Sequence, residues 1–193
     1  MANWLQTIGW LACVVYATIP AFWLMIHPRA AYWRTRRAPY PLLASIWFSM
    51  WIALGAITAP WRLSTIYDSV WAWIPAVLLF GCGAYLYAHA GRGFSLRQLG
   101  GVPEIVAGHG EQRLVTGGIR SRVRHPVYLA HLCEMLAWSV GTGLAVNFLL
   151  TGFALVTGAV MVSTEDRELE RRFGEEFRVY RARVPAIVPR MTL

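Results

Sequence analysis

Residues 114 to 128 read Leu-Val-Thr-Gly-Gly-Ile-Arg-Ser-Arg-Val-Arg-His-Pro-Val-Tyr, a basic, glycine-turned segment that runs straight into an apolar stretch. Gly117-Gly118 permits a tight turn and close backbone approach to a ligand. Pro126 suits the first turn of a helix, where a missing N–H costs nothing, and it pushes His125 toward extended backbone. His125 therefore stands at a helix start, whose free N–H groups and positive dipole end favour a carboxylate. A second polar cluster, Glu165-Asp166-Arg167-Glu168, follows the next apolar stretch. Carboxylates there can accept hydrogen bonds from a ribose diol. Two polar clusters at one end of an apolar hairpin suggest a polar cofactor held at the edge of a bilayer. Plainer readings stay open: an arginine-rich loop that sets membrane orientation, and a solvated acidic pair bound to Arg120, Arg122 or Arg124.

Further candidates lie inside the apolar stretches. His131 and Glu134 share a helix face with Tyr128 and Trp138, at steps of three and four. Ionisable residues within a membrane helix are functional candidates, here as the lining of a substrate cavity. An interhelical hydrogen bond explains them equally well. His89 and His131, on neighbouring spans, have the residue type for axial haem ligation, but no other feature supports a haem-binding membrane subunit. Cys13, Cys82 and Cys133 fall in apolar segments without metal-ligand spacing, so they read as buried free thiols and no metal is expected. His27 and His109 read as interfacial or loop residues.

The elements that must position these groups are membrane helices. The chain is 56% hydrophobic and only 15% charged, below the roughly 25% of soluble domains. Its ten tryptophans sit largely near the ends of apolar runs, the interfacial pattern of integral membrane proteins. The net charge of +8 is all arginine, with no lysine. Those arginines cluster between apolar segments, which points to membrane orientation and away from nucleic acid. The expected fold is all-α, an integral membrane helical bundle of five transmembrane helices with a tight final hairpin and an amphipathic C-terminal helix. Three spans fall within residues 1–90, at about Trp4–Ile26 (Pro20 kinking it), Leu42–Ala59 and Ser69–Ala88. Residues 91–193 hold the cofactor-binding loop, the hairpin and the last helix, all one domain. The first run is too long for a cleaved signal peptide and is expected to stay in the membrane.

The hairpin starts at Pro126, turns at Gly141-Thr142-Gly143 and ends near Ser163. Each arm is roughly 15 to 18 residues, about 23 to 27 Å long at 1.5 Å per residue. Ala154 and Gly158 allow close helix approach. Beyond the hairpin, Leu169, Phe173, Phe177, Tyr180 and Val184 make an apolar stripe that predicts one helix from Glu165 to Val184, ended by Pro185 and Pro189. The basic loops alternate, placing Arg29–Arg37, Arg92–Arg124 and Arg167–Arg190 in the cytoplasm and the N-terminus outside.

The order Leu-Val-Thr-x-Gly-Ile, Arg124-His125-Pro126-x-Tyr128, an acidic pair, then Phe173-Gly174-Glu175-Glu176-Phe177 resembles the isoprenylcysteine carboxyl methyltransferase family. That group takes in membrane phospholipid N-methyltransferases and small-thiol methyltransferases. The likeness covers roughly Gly91 to Pro189, including Val184-Pro185-x-x-Val188-Pro189. It implies an S-adenosyl-L-methionine-dependent membrane methyltransferase with its cofactor at the cytoplasmic face. Carried over, Leu114 and Val115 give backbone contacts, and His125, Pro126, Val127 and Tyr128 hold the methionyl end. Glu165 or Asp166 contacts the ribose or closes the site; these two are also the catalytic candidates.

The acceptor is expected to be a lipophilic small molecule or lipid, near His131, Glu134 and Arg167. An isoprenylcysteine-like carboxylate, a phospholipid amine and a small thiol are the alternatives. Two departures from the family bear on this choice. Arg120 stands where the family usually has tyrosine. Met161 stands where members acting on a prenylcysteine carboxylate carry arginine, so a carboxylate acceptor lacks its cationic partner. The cell (inner) membrane, with the site at its cytoplasmic face, is the expected location.

Overall fold

The computed structural model describes residues 3–37, 39–91 and 113–188. The readings placed on Arg92, His109, Pro189 and Arg190 lie outside them. The long apolar runs are helical, the form that satisfies every backbone polar group without water. The helices are α1 (Asn3–Ile26), α2 (Ala30–Arg34), α3 (Pro39–Thr58), α4 (Trp73–Ala90), α5 (Pro126–Thr142), α6 (Ala145–Phe173) and α7 (Glu175–Arg183). They form an all-α membrane bundle, and α1 runs on through Pro20. Among the described residues, four segments are long and apolar enough to cross a bilayer: Trp4–Arg29, Pro39–Trp61, Val70–Ala90 and Ala145–Phe173. The fifth long helix, α5, has 17 residues, about 26 Å at 1.5 Å per residue.

Helices α5 and α6 form the tight hairpin. Gly143 turns it with φ +65°, and a Cβ there would overlap the Tyr67 carbonyl oxygen. The 62–69 connection clasps this closed end. Ile66 N–H donates to Gly143 O (2.8 Å), Ala145 N–H to Ser64 O (2.9 Å) and Tyr67 Oη to Val140 O (2.7 Å). Below the turn, Ser139, Thr142, Asn147 and Thr151 are buried and hydrogen-bonded among themselves. The three hydroxyls and the Asn147 amide nitrogen are thereby paired, in a setting where an unpaired polar group costs about 1–3 kcal/mol; Asn147 Oδ1 has no partner among the described residues.

The core lies where α1 meets this hairpin, with Trp10, Cys13, Val14 and Ala17 against Met135, Val146, Leu150 and Ala154. The small-residue stripe meets α1, and a Cβ on Gly158 would lie 3.9 Å from Pro20. Helix α4 lies along α5, with Leu86 on Ala130 and Cys133. Cys13 and Cys133 are buried as expected, but Cys82 is exposed, with its sulfur 3.9 Å from that of Cys133. Helix α3 packs on α1, where Thr18 Oγ1 accepts from the indoles of Trp47 and Trp51 at 2.9 Å each.

One element differs from its sequence reading. Helix α6 does not end near Ser163; it runs through the acidic pair to Phe173. Gly174, with φ +57°, then breaks the chain direction before α7. The stripe expected on one helix is thus divided between two. Leu169 and Phe173 lie on α6, while Phe177 and Tyr180 lie on α7, with Phe177 fully buried. No glycine or proline interrupts α6 between Gly158 and Gly174, so its hydrogen-bond ladder continues past the apolar stretch.

Candidate active site at the open end of the bundle

At the end opposite the hairpin turn, the ends of α1 and α4 meet the start of α5 and the polar extension of α6. The approach to α5 is built by residues 113–125. Leu114 and Val115 are half-buried and irregular. Gly118 adopts φ +64° and opens a 3₁₀ turn, Gly118–Ser121. Ile119 packs against the Leu86–Ala130–Cys133 cluster, and Arg120 Nη1 donates to Ala90 O at the end of α4 (2.8 Å). Burial lowers the Arg120 pKa. Pro126 is the first residue of α5 and is buried, with His125 as the residue that caps it.

His125 is the centre of the site, its side chain only 4% exposed. Its Nε2 is 2.9 Å from Asp166 Oδ1, and its Nδ1 is 3.3 Å from Glu165 Oε2. Burial alone would lower its pKa, but the Glu165 and Asp166 carboxylates outweigh burial and hold it up to about 9. The imidazole is therefore charged at neutral pH. Arg124 Nη2 reaches the second oxygen of Asp166 at 2.6 Å. Both Asp166 oxygens are thus engaged. Glu165 differs: its Oε2 is buried and within charge contact of His125, yet it has no aligned hydrogen bond. The buried Arg124 Nε is likewise without an acceptor.

The C-terminal segment closes over this cluster. Arg124 N–H donates to Pro185 O (2.9 Å) and His125 N–H to Ala186 O (3.0 Å). Arg124 Nη1 donates to the carbonyls of Val184 and Arg181. Tyr180 Oη donates to Arg120 O at 2.7 Å, and burial pushes its pKa up to about 12. On the other side, His27 Nδ1 lies 2.8 Å from Glu168 Oε2, tying the end of α1 to α6.

From His125 a line of rings runs into the bundle along one face of α5. The His125–Tyr128 centroids are 5.8 Å apart and those of Tyr128–His131 6.3 Å. Tyr128 Oη points at the Met161 sulfur (3.5 Å), and Met161 is fully buried. Tyr16 of α1 and Tyr87 of α4 meet His131 edge-on at 5.3 and 5.4 Å. One turn further, Glu134 lies against Gly83 of α4, where a Cβ would stand 2.5 Å from Oε1.

The structure thus brings together His125, Pro126, Tyr128, Glu165 and Asp166, and sets His131 and Glu134 deeper on the same helix. Arg167 is exposed and, among the described residues, joins no ion pair. His89 is exposed and bonded to Tyr85 O of its own helix at 2.8 Å, while His131 is enclosed by tyrosines; they do not form a facing pair for haem. Of the three arginines considered as partners for the acidic pair, Arg124 takes the role. Sequence reasoning missed Tyr16, Tyr87, Tyr180 and the ion pair of His27. Their signal is tertiary, since each reaches the site from an element remote in sequence.

A helical membrane bundle with an ionised polar cluster at one end and aromatic side chains below it defines the class. Residues 71–176 match the phospholipid methyltransferase family. The chain belongs to that family, within the isoprenylcysteine carboxyl methyltransferase-like group of membrane methyltransferases. It is similar to the cobalt-zinc-cadmium resistance protein CzcN of Cupriavidus metallidurans, 41% identical over 90 residues, which are 46% of this chain and 41% of that protein. The chain therefore spans about two fifths of that relative's length. No solved structure matches.

Proposed function

We propose that this membrane methyltransferase takes its methyl group from S-adenosyl-L-methionine, held at the His125 cluster, and passes it to a lipophilic acceptor that enters from the bilayer. The observation that carries this reading is the pair of buried, unsatisfied atoms in one cluster, the Arg124 Nε donor and the Glu165 Oε2 acceptor. The amino-acid end of the cofactor offers a carboxylate to the first and an ammonium to the second. Buried polar groups left unpaired cost stability, and such a ligand satisfies both.

The bound cofactor supplies a methyl group already activated on a sulfonium, so the protein's contribution is positioning and exclusion of water. Asp166 spends both oxygens on His125 and Arg124 and so fixes their orientation. That leaves Glu165 as the carboxylate for ligand ammonium or ribose hydroxyls. Backbone groups of Leu114, Val115, Val127 and Tyr128 complete the cradle, with Pro126 shaping the helix start. Met161 and Tyr128 wall the route toward His131 and Glu134. The arginine-rich ends of the spans favour the cytoplasmic face of the cell membrane for this site.

The test is labelled methyl transfer from S-adenosyl-L-methionine into membranes containing the purified protein, with products identified by mass spectrometry. A labelled lipophilic product that disappears with His125→Ala is expected. Label confined to the cofactor, with every extract tried, contradicts the reading.

A further inference from the structure

His131 sits on α5 six residues beyond His125, about 9 Å of helix rise at 1.5 Å per residue. Three tyrosine rings surround it: Tyr16 at 5.3 Å, Tyr87 at 5.4 Å and Tyr128 at 6.3 Å. The rings come from α1, α4 and α5, so this is a junction of three helices and not a one-helix feature. Its Nδ1 is buried without an aligned hydrogen bond, on the side of the Val127 carbonyl one turn back. A ring N–H directed at that carbonyl leaves the other ring nitrogen as an acceptor. Other titratable side chains at this depth are Cys13 of α1, Glu134 and Cys133 of α5 and Cys82 of α4, with the Cys82 and Cys133 sulfurs 3.9 Å apart.

Among the described residues, no arginine side chain is shown in contact with His131 or its tyrosine box. Arg124 is committed to Asp166 and to backbone carbonyls, Arg120 reaches Ala90 O, and Met161 presents a thioether to Tyr128. Tyrosine rings, a thioether and an imidazole together suit a neutral nucleophile that still carries a proton. We propose that His131 receives the methyl acceptor, an apolar molecule with an X–H nucleophile, and takes the proton that this atom sheds. The step rests on the methyl-donor reading above. The lone pair of X forms the new bond to the donor methyl carbon, and the S–CH3 bond breaks with its electron pair passing to sulfur. The X–H proton goes to the free His131 nitrogen. The products are X–CH3, a neutral thioether and a protonated imidazole, so charge and atoms balance.

The test uses the full-length protein in lipid nanodiscs with three probes of equal chain length: dodecylamine, dodecanethiol and laurate. In protein without cofactor, labelled with ¹⁵N-histidine, the amine or the thiol is expected to shift the His131 ring resonances, and laurate to leave them unchanged. With cofactor, His131→Gln is expected to lower transfer to the accepted probe by about 10²- to 10⁴-fold, the range for general acid–base groups. Its affinity for S-adenosylhomocysteine stays within twofold of wild type. Added imidazole partly restores His131→Ala, which a packing role would not allow. A shift with laurate alone, no shift with any probe, or transfer within twofold in His131→Gln overturns the proposal. Failure of the wild-type protein to bind S-adenosylhomocysteine instead overturns the methyl-donor reading on which it rests.

Discussion

His125 Nε2 and Asp166 Oδ1 lie 2.9 Å apart, both side chains under a tenth exposed, and the second Asp166 oxygen holds Arg124 at 2.6 Å. One carboxylate thus joins the start of α5 to α6 across the open end of the bundle. Breaking a buried pair by removing one partner leaves the other charge uncompensated, at about 3–5 kcal/mol. Asp166→Ala is expected to lose stability on that scale in denaturant titrations. Glu165→Gln, which removes no aligned hydrogen bond but does remove a charge that holds up the His125 pKa, is expected to lose less than Asp166→Ala. Equal losses in the two variants would contradict the division of labour within the acidic pair.

The raised pKa of His125 gives stability a pH dependence of fixed sign. The folded value of about 9 exceeds the ordinary 6.5. The stabilisation is therefore complete below about pH 6.5 and is lost as pH rises through 9, with a full size of about 3 kcal/mol. Thermal unfolding between pH 6 and pH 10 checks this. Wild type is expected to lose stability across the window relative to His125→Gln. Parallel curves for the two proteins would show that the imidazole is neutral in the fold.

The hairpin turn depends on one glycine. Gly143 has φ +65°, and a Cβ on it would overlap the Tyr67 carbonyl oxygen. Gly143→Ala is expected to cost more than the roughly 1–2 kcal/mol of left-handed strain alone, since Tyr67 must also move. Gly117, with open space around it, is the control; its alanine variant is expected to match wild type in thermal stability.

Tyr180 ties α7 to the approach segment through its hydrogen bond to Arg120 O. Tyr180→Phe is expected to lose about 1 kcal/mol and to quicken amide exchange around Arg120 without changing helix content. Unchanged exchange there would mean that α7 does not hold the segment.

Much of this arrangement is legible in the chain itself. Pro126 marks the start of α5, Gly141-Thr142-Gly143 marks the turn, and the basic and acidic clusters at matching ends of the hairpin foretell the meeting of His125 with Asp166. The division of the last stripe is not legible. Leu169, Phe173, Phe177 and Tyr180 keep helical spacing straight across Gly174, and periodicity does not register a reversal made by one left-handed residue. The fastening of Arg124 and His125 by Pro185 and Ala186 is also hidden. Those contacts run backbone to backbone and leave no side-chain signature. The tyrosine box around His131 draws on α1 and α4, and only packing brings those helices beside α5.

The central claim is that the unsatisfied Glu165 and Arg124 atoms form a seat for the methyl donor. Calorimetric titration of S-adenosylhomocysteine into the wild-type and Glu165→Gln proteins in nanodiscs tests it most directly. One molecule bound per wild-type chain is expected, with affinity at least tenfold weaker in the variant. Equal affinity in the two proteins, or no binding to wild type, would contradict the claim.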